Sequence, residues 1–189
     1  MTAFALHLLR HGAPETPGLL MGRTDGTPTA DGIAACAAQA ADLGIEHLVA
    51  SDLRRCREAG EAIGEAAGLP LTIDLRWREL DFGDWDGQPS SAVDPDALGR
   101  FWDDPDASPP PGGERWSSLV TRVSAAIGDL APIPTLIVTH GGAMRAALHV
   151  LCGFDQRPLW TFDLPYTALL SLRVWPGERP SAQIAGLYP

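Results

Sequence analysis

The sequence predicts a three-layer α/β fold, with a mostly parallel sheet between helices on both faces. Three observations predict it. Short apolar runs at Phe4–Leu9, His47–Ala50 and Leu136–Val138 have the length of buried strands. Stretches of helical spacing stand between these runs. The turns joining them are short, which favours strand–helix alternation over separate all-α or all-β units.

The elements follow in order. Phe4–Leu9 breaks sharply into Arg10-His11-Gly12, a strand opening into a loop. From Thr29, the residues Ile33, Ala34, Cys36, Ala37, Ala40, Ala41 and Leu43 recur at helical spacing, and Gly44 ends the run. His47–Ala50 is a second strand. Residues 52–67, rich in Arg, Glu and Ala, form a helix that stops at Gly68, and Leu71–Leu75 reads as a short strand. Between Asp81 and Gly113 Pro, Gly, Asp, Ser and Trp dominate, with one helical piece over Asp96–Trp102. This segment reads as an excursion covering one end of the sheet, where substrate-selecting loops sit. Glu114–Leu130 resumes helical spacing. Leu136–Val138 then breaks into Thr139-His140-Gly141-Gly142, and Ala143–Leu151 is a helix stopped by Gly153. Late strands fall at Ala168–Val174 and Ala182–Leu187. With no internal repeat and no dividing linker, residues 1–189 read as one domain.

The formal net charge of -10 disfavours nucleic acid and anionic membranes as partners. It would also repel an anionic substrate, so a phosphate pocket requires a local island of positive charge. The first residues carry no basic cluster and read as a strand rather than a signal peptide. No apolar run approaches the ~18 residues that span a bilayer. Cys36, Cys56 and Cys152 are odd in number and contain no CxxC, which suits reduced, buried thiols in a cytoplasmic protein.

Chemistry-bearing residues gather at strand ends. His11 and His140 each stand one step past a strand, and ligands of open α/β sheets bind beyond the carboxyl ends of the strands. Arg10 offers a planar fork suited to phosphate oxygens, and Gly12 would let the backbone approach a ligand. Arg54, Arg55 and Arg57 lie at a helix start, itself favourable for anions. They cannot all face one way, so one or two serve the pocket. Glu79 opens a Gly- and aromatic-rich loop able to hold one carboxylate fixed. Thr16 and Arg23 are candidates for substrate contact, and Trp85 and Trp102 for the entrance. His7, His47 and His149 read as structural.

Taken together, Arg10-His11-Gly12, the Ser51-x-Leu53-x-Arg55 pattern, the Glu79-x-x-Phe82-Gly83-x-Trp85-x-Gly87 stretch and His140-Gly141 resemble the histidine phosphatase superfamily, the phosphoglycerate mutase-like family. Pro111-Gly112-Gly113-Glu114 and the later Arg122-Val123 are also family-like, and the likeness spans nearly the whole chain. It is nearest to small bacterial alpha-ribazole phosphatases and broad-specificity phosphatases, and Trp160-x-Phe162 resembles the former.

The resemblance implies a phosphoglycerate mutase-like fold and a phosphomonoesterase acting on a small phosphorylated metabolite, without cofactor or metal. In that scheme His11 is the nucleophile and Glu79 the proton donor. Arg10, Arg55 and His140 hold the phosphoryl oxygens, with the Gly141 N–H beside them and His140 protonated. The arginines should depress the His11 pKa. Alternatives within reach are a cofactor-dependent mutase, a protein-phosphohistidine phosphatase and an inactive phospho-ligand-binding module. The sequence departs from the family in lacking an Asn after Arg-His-Gly, and in having Cys56 and Ala59-Gly60 where Ala and Thr-Ala are usual.

Overall fold

A computed structural model describes residues 2–189. Six strands form one sheet: β1 (Phe4–Arg10), β2 (His47–Ala50), β3 (Leu71–Ile73), β4 (Thr135–Thr139), β5 (Leu169–Trp175) and β6 (Ser181–Tyr188). Their spatial order is β3-β2-β4-β1-β5-β6. The first four pair in parallel, whereas β5 runs antiparallel to β1 and β6 antiparallel to β5. The two late strands follow each other with a short connection and no crossover helix, and a short return of this kind can only produce an antiparallel pair.

Five helices cover the sheet: α1 (Ala30–Ala40), α2 (Arg54–Ala67), α3 (Pro95–Asp103), α4 (Trp116–Gly128) and α5 (Gly141–Cys152). Alternate residues of each strand feed two apolar clusters. Leu9, Leu48, Leu136 and Val138 pack with Cys36, Cys56, Ala59 and Ile63 of α1 and α2. Leu6, Leu8, Val49 and Ile137 pack on the other face with Leu119, Val123, Met144 and Leu148 of α4 and α5. The period of two that turns each strand's side chains to opposite faces thus produces the three layers. The expected mostly parallel α/β/α architecture is the one observed.

Local chemistry sets the helix ends. Thr29 caps α1 by accepting from Gly32 N–H at 3.0 Å, and Asp94 caps α3 through the N–H groups of Asp96 and Ala97. Gly68 and Gly153 end α2 and α5 in the left-handed conformation. The expected strand over Leu71–Leu75 stops at Ile73. Asp74 accepts from Arg76 N–H and turns the chain into a 3-10 turn at Leu75–Trp77, where Trp77 enters the core. Further 3-10 turns lie at Gly83–Trp85 and Ser90–Ala92 within the excursion and at Arg157–Thr161 between α5 and β5. No helix among the described residues is long and apolar enough to cross a membrane.

Candidate functional site

Register brings the two histidines together. β1 and β4 are parallel neighbours with Arg10 opposite Thr139, so the next residue of each strand, His11 and His140, emerges at the same edge. The His11 N–H donates to Thr139 O at 2.9 Å, and the ring centroids are 5.1 Å apart. β2, on the far side of β4, ends beside them, and the residue that follows it, Ser51, lies 3.1 Å from His140 Nε2 through Oγ.

His11 is buried, and its Nδ1 lies 2.8 Å from the Gly12 carbonyl oxygen. A carbonyl can only accept, so Nδ1 carries the hydrogen and Nε2 keeps its lone pair. Burial holds the His11 pKa well below 6.5, with the charges of Arg55 and Arg10 adding to the effect. His140, fully buried, is likewise held well below 6.5 by burial and then by Arg55. Burial and the neighbouring arginines thus favour the neutral ring of His140. Cys56 packs against the same imidazole, with Sγ 3.3 Å from Nε2.

Of the three arginines at the start of α2, only Arg55 is buried as a whole residue. It is fully buried and donates to the carbonyls of Thr24, Met21 and Gly22. Arg54 pairs instead with Glu58. Arg10 donates to the Leu164 carbonyl and lies over the Tyr166 ring at 4.5 Å. Both Arg10 and Arg55 leave Nε–H buried without an acceptor. Free donors on two cations beside His11 are suited to an anion, which such charge-assisted bonds favour.

Glu79 approaches from the loop after Trp77. Its Oε2 accepts from Gly142 N–H at 3.0 Å, and its Oε1 from Leu80 N–H at 2.8 Å. Its backbone is held by Arg122, which donates to the carbonyls of Arg76, Arg78 and Glu79 while gripping Glu114 with Nε and Nη2, both at 2.8 Å. The family-like Glu114 and Arg122 therefore act as a clamp on the Glu79 segment. Gly141, at the first turn of α5, lies beside the guanidinium of Arg10.

A cavity of about 200 Å³ opens from this edge. Arg10, His11, Glu79 and Gly141 line it. Thr16 is exposed on its loop, and Arg23 pairs with Asp81 at 3.2 Å; neither lines the cavity. Trp102 lines it, whereas Trp85 is buried against Phe101 beneath the wall. Gly12 serves a different purpose from the expected one. A Cβ there would fall 2.2 Å from the Gly32 carbonyl, so its lack of a side chain lets α1 pack on the loop rather than admitting a ligand.

Tyr166, Arg145 and Trp160 also belong to the cavity wall and were not anticipated. The Tyr166 ring lies 5.4 Å from that of His11. Because β5 is antiparallel to β1, its leading loop returns to the histidine edge, where Ala168 O accepts from Arg10 N–H and His11 O accepts from Thr167 N–H. Thr167 adopts φ 67°, rare for a β-branched residue, in forming this seam. The sequence signal for Tyr166 is the Pro165-Tyr166-Thr167 turn immediately before a strand.

Comparison with known proteins places these features in context. A Salmonella typhi protein named as a probable phosphoglycerate mutase, GpmB, is 29% identical over 167 residues, covering 82% of this chain and 76% of that protein. A mycobacterial glucosyl-3-phosphoglycerate phosphatase superposes with a TM-score of 0.86 at 25% identity, covering 97% of each chain. The alpha-ribazole phosphatase of Shigella flexneri shares the fold, with a TM-score of 0.78 at 22% identity and 95% coverage of both chains. The histidine phosphatase superfamily (branch 1) model matches residues 6–184. A pair of strand-end histidines in register, flanked by two inward arginines, thus accompanies a family match over almost the full length, and the chain belongs to the histidine phosphatase superfamily.

Proposed function

We propose that this protein is a metal-independent phosphomonoesterase that hydrolyses a small phosphorylated metabolite through a phosphohistidine on His11. The observation that carries the reading is the free Nε2 lone pair of a neutral, buried His11 beside two arginines with unsatisfied Nε–H donors. Similarity to phosphatases of small phosphorylated compounds supports the class.

In the first step His11 Nε2 attacks phosphorus and the ester P–O bond breaks. The electron pair leaves on the alcohol oxygen, which takes a proton from the Glu79 carboxylic acid. In the second step water attacks phosphorus and gives a proton to the Glu79 carboxylate. The P–N bond breaks, its electrons return to Nε2, and inorganic phosphate departs. Arg10, Arg55, His140 and the Gly141 N–H hold the equatorial oxygens, where positive charge and fixed donors lower the barrier most. The phosphate dianion would itself favour protonation of His140.

Phosphate release from aryl and alkyl esters, in chelator, tests the proposal. His11→Ala should abolish turnover and the acid-labile phosphoryl label. Glu79→Gln should reduce alkyl ester hydrolysis far more than aryl, whose leaving group needs less protonation. Absence of turnover and label in the wild type overturns it. The GpmB similarity supports a second reading, a mutase, which would transfer the phosphoryl group to an added phosphoglycerate acceptor rather than to water.

A further inference from the structure

Beyond the histidine edge the cavity changes character. Its outer wall is Leu20, Phe82, Phe101, Trp102 and Trp160, and the one charge among them is Arg145. The aromatic rings form a continuous surface: Phe82 meets Phe101 at 6.0 Å, Phe101 meets Trp102 at 4.8 Å, and Trp102 meets Trp160 edge-on at 4.9 Å. The excursion supplies Phe82 and the α3 pair Phe101 and Trp102, and the 3-10 turn before β5 supplies Trp160. Apolar walls of this kind gain from covering an apolar ligand face, and offer a polyhydroxylated group nothing to bond.

Arg145 is fixed in this wall. Its guanidinium lies over the Trp160 ring at 4.8 Å and donates one N–H from each nitrogen, to Leu159 O, Gly141 O and Phe162 O. Two of its five N–H groups are left over. No carboxylate is within ion-pair distance of it among the described residues. Burial lowers its pKa and Arg10 adds to that, while the more distant carboxylates of Glu79 and Asp163 favour its charge. Arg10 and Arg145 flank the same glycine: a Cβ on Gly141 would lie 3.1 Å from Arg145 Nη1 and 3.8 Å from Arg10 Cζ. Arg145 thus adjoins the place where Arg10 would hold a phosphate, and both line one cavity.

We infer that this outer wall is a leaving-group subsite for a flat, apolar group bearing a carboxylate or comparable anionic substituent, which pairs with Arg145. The inference rests on the phosphomonoesterase reading for the orientation of the phosphate. A purely structural Arg145 would tie the 157–162 segment to α5 without distinguishing among ligands.

Phosphonates test it without any bond breaking. Calorimetric affinities would be measured for ethylphosphonate, benzylphosphonate and 3-carboxybenzylphosphonate, with wild type, Arg145→Gln, Arg145→Lys and Trp102→Ala. In the wild type the ring should tighten binding about tenfold over ethyl, and the carboxylate about tenfold again. Arg145→Gln should bring the carboxylated-to-plain ratio to about one whatever happens to absolute affinity, and Arg145→Lys should restore part of it. Trp102→Ala should reduce the gain from the ring. Equal wild-type affinity for the two benzyl compounds, or an unchanged ratio in Arg145→Gln, overturns the subsite. These outcomes are separate from failure of the phosphomonoesterase reading, which would appear as no ester turnover by a protein that still binds phosphonates.

Discussion

Gly142 and Glu79 occupy space that no other residue at position 142 could share. The Gly142 N–H donates to Glu79 Oε2 at 3.0 Å, and a Cβ on residue 142 would stand 2.1 Å from Oε1. The atom in the way is the tip of a flexible side chain, so the carboxylate would yield and the helix would not. Gly142→Ala should cost little in unfolding free energy while reducing alkyl ester hydrolysis by about a hundredfold, with a smaller loss on aryl esters. Equal losses on both classes would mean that Glu79 has not been displaced as an acid.

Acidification should weaken the fold through the buried histidines. His11 and His140 are kept neutral in the folded chain, but titrate at their ordinary 6.5 once unfolded. Below that pH the unfolded state binds more protons, so their contribution is complete above about pH 6.5 and is lost as pH falls toward the folded values. The depressed carboxylates Asp52, Asp74 and Asp106 start from 3.8 and move lower, leaving the window between about pH 5 and 6.5 to the histidines. The unfolding free energy from urea melts should drop across that window, by up to ~1.4 kcal/mol per pH unit per histidine, and the midpoint with it. His140→Gln should show a shallower slope, and saturating phosphate should also flatten it. A midpoint independent of pH would contradict this.

Arg122 and Glu114 form the most buried ion pair of the molecule, with 18% and 12% of their side chains exposed. Arg122→Met strands the carboxylate and frees three carbonyls in the segment leading to Glu79. It should destabilise by about 3 kcal/mol in chemical unfolding. Adding Glu114→Gln to the same chain should recover part of that loss, because the unpaired charge is then gone.

Thiol chemistry gives a further check. Burial raises the Cys56 thiol well above its usual range and pushes that of Cys36 to about 12. Cys152 is only partly buried. Iodoacetamide should therefore label Cys152 alone in the native protein, and all three in urea, as read by mass spectrometry. Native labelling of Cys56 would show that the pocket behind His140 opens readily.

Much of this was legible in the chain because it depends on local pattern. A strand that breaks at His-Gly places an imidazole at a sheet edge wherever the strand lies, so His11 and His140 were visible before their register was known. Arg55 was not separable from Arg54 and Arg57 by pattern alone, since all three share a helix turn; the family resemblance singled it out. Tyr166 and the cavity-facing place of Trp160 stayed hidden for a different reason: they depend on the antiparallel course of β5 and on the 3-10 turn before it, which are long-range outcomes with no periodic signature. Arg145 stands one turn into α5, where nothing in the helical spacing sets it apart from its neighbours. Arg23 and Thr16 lie outside the cavity lining because Arg23 turns to Asp81 and Thr16 stands exposed on its loop, arrangements that local pattern does not encode.

The seam between the first strand and the last third of the chain also dictates when the molecule can begin to work. A nascent chain released as far as residue 160 already carries His11, Arg55, Glu79 and His140, yet lacks the Leu164 and Ala168 carbonyls that seat Arg10. A protein shortened before Leu164 should therefore leave Arg10 unseated and show no phosphate-ester turnover.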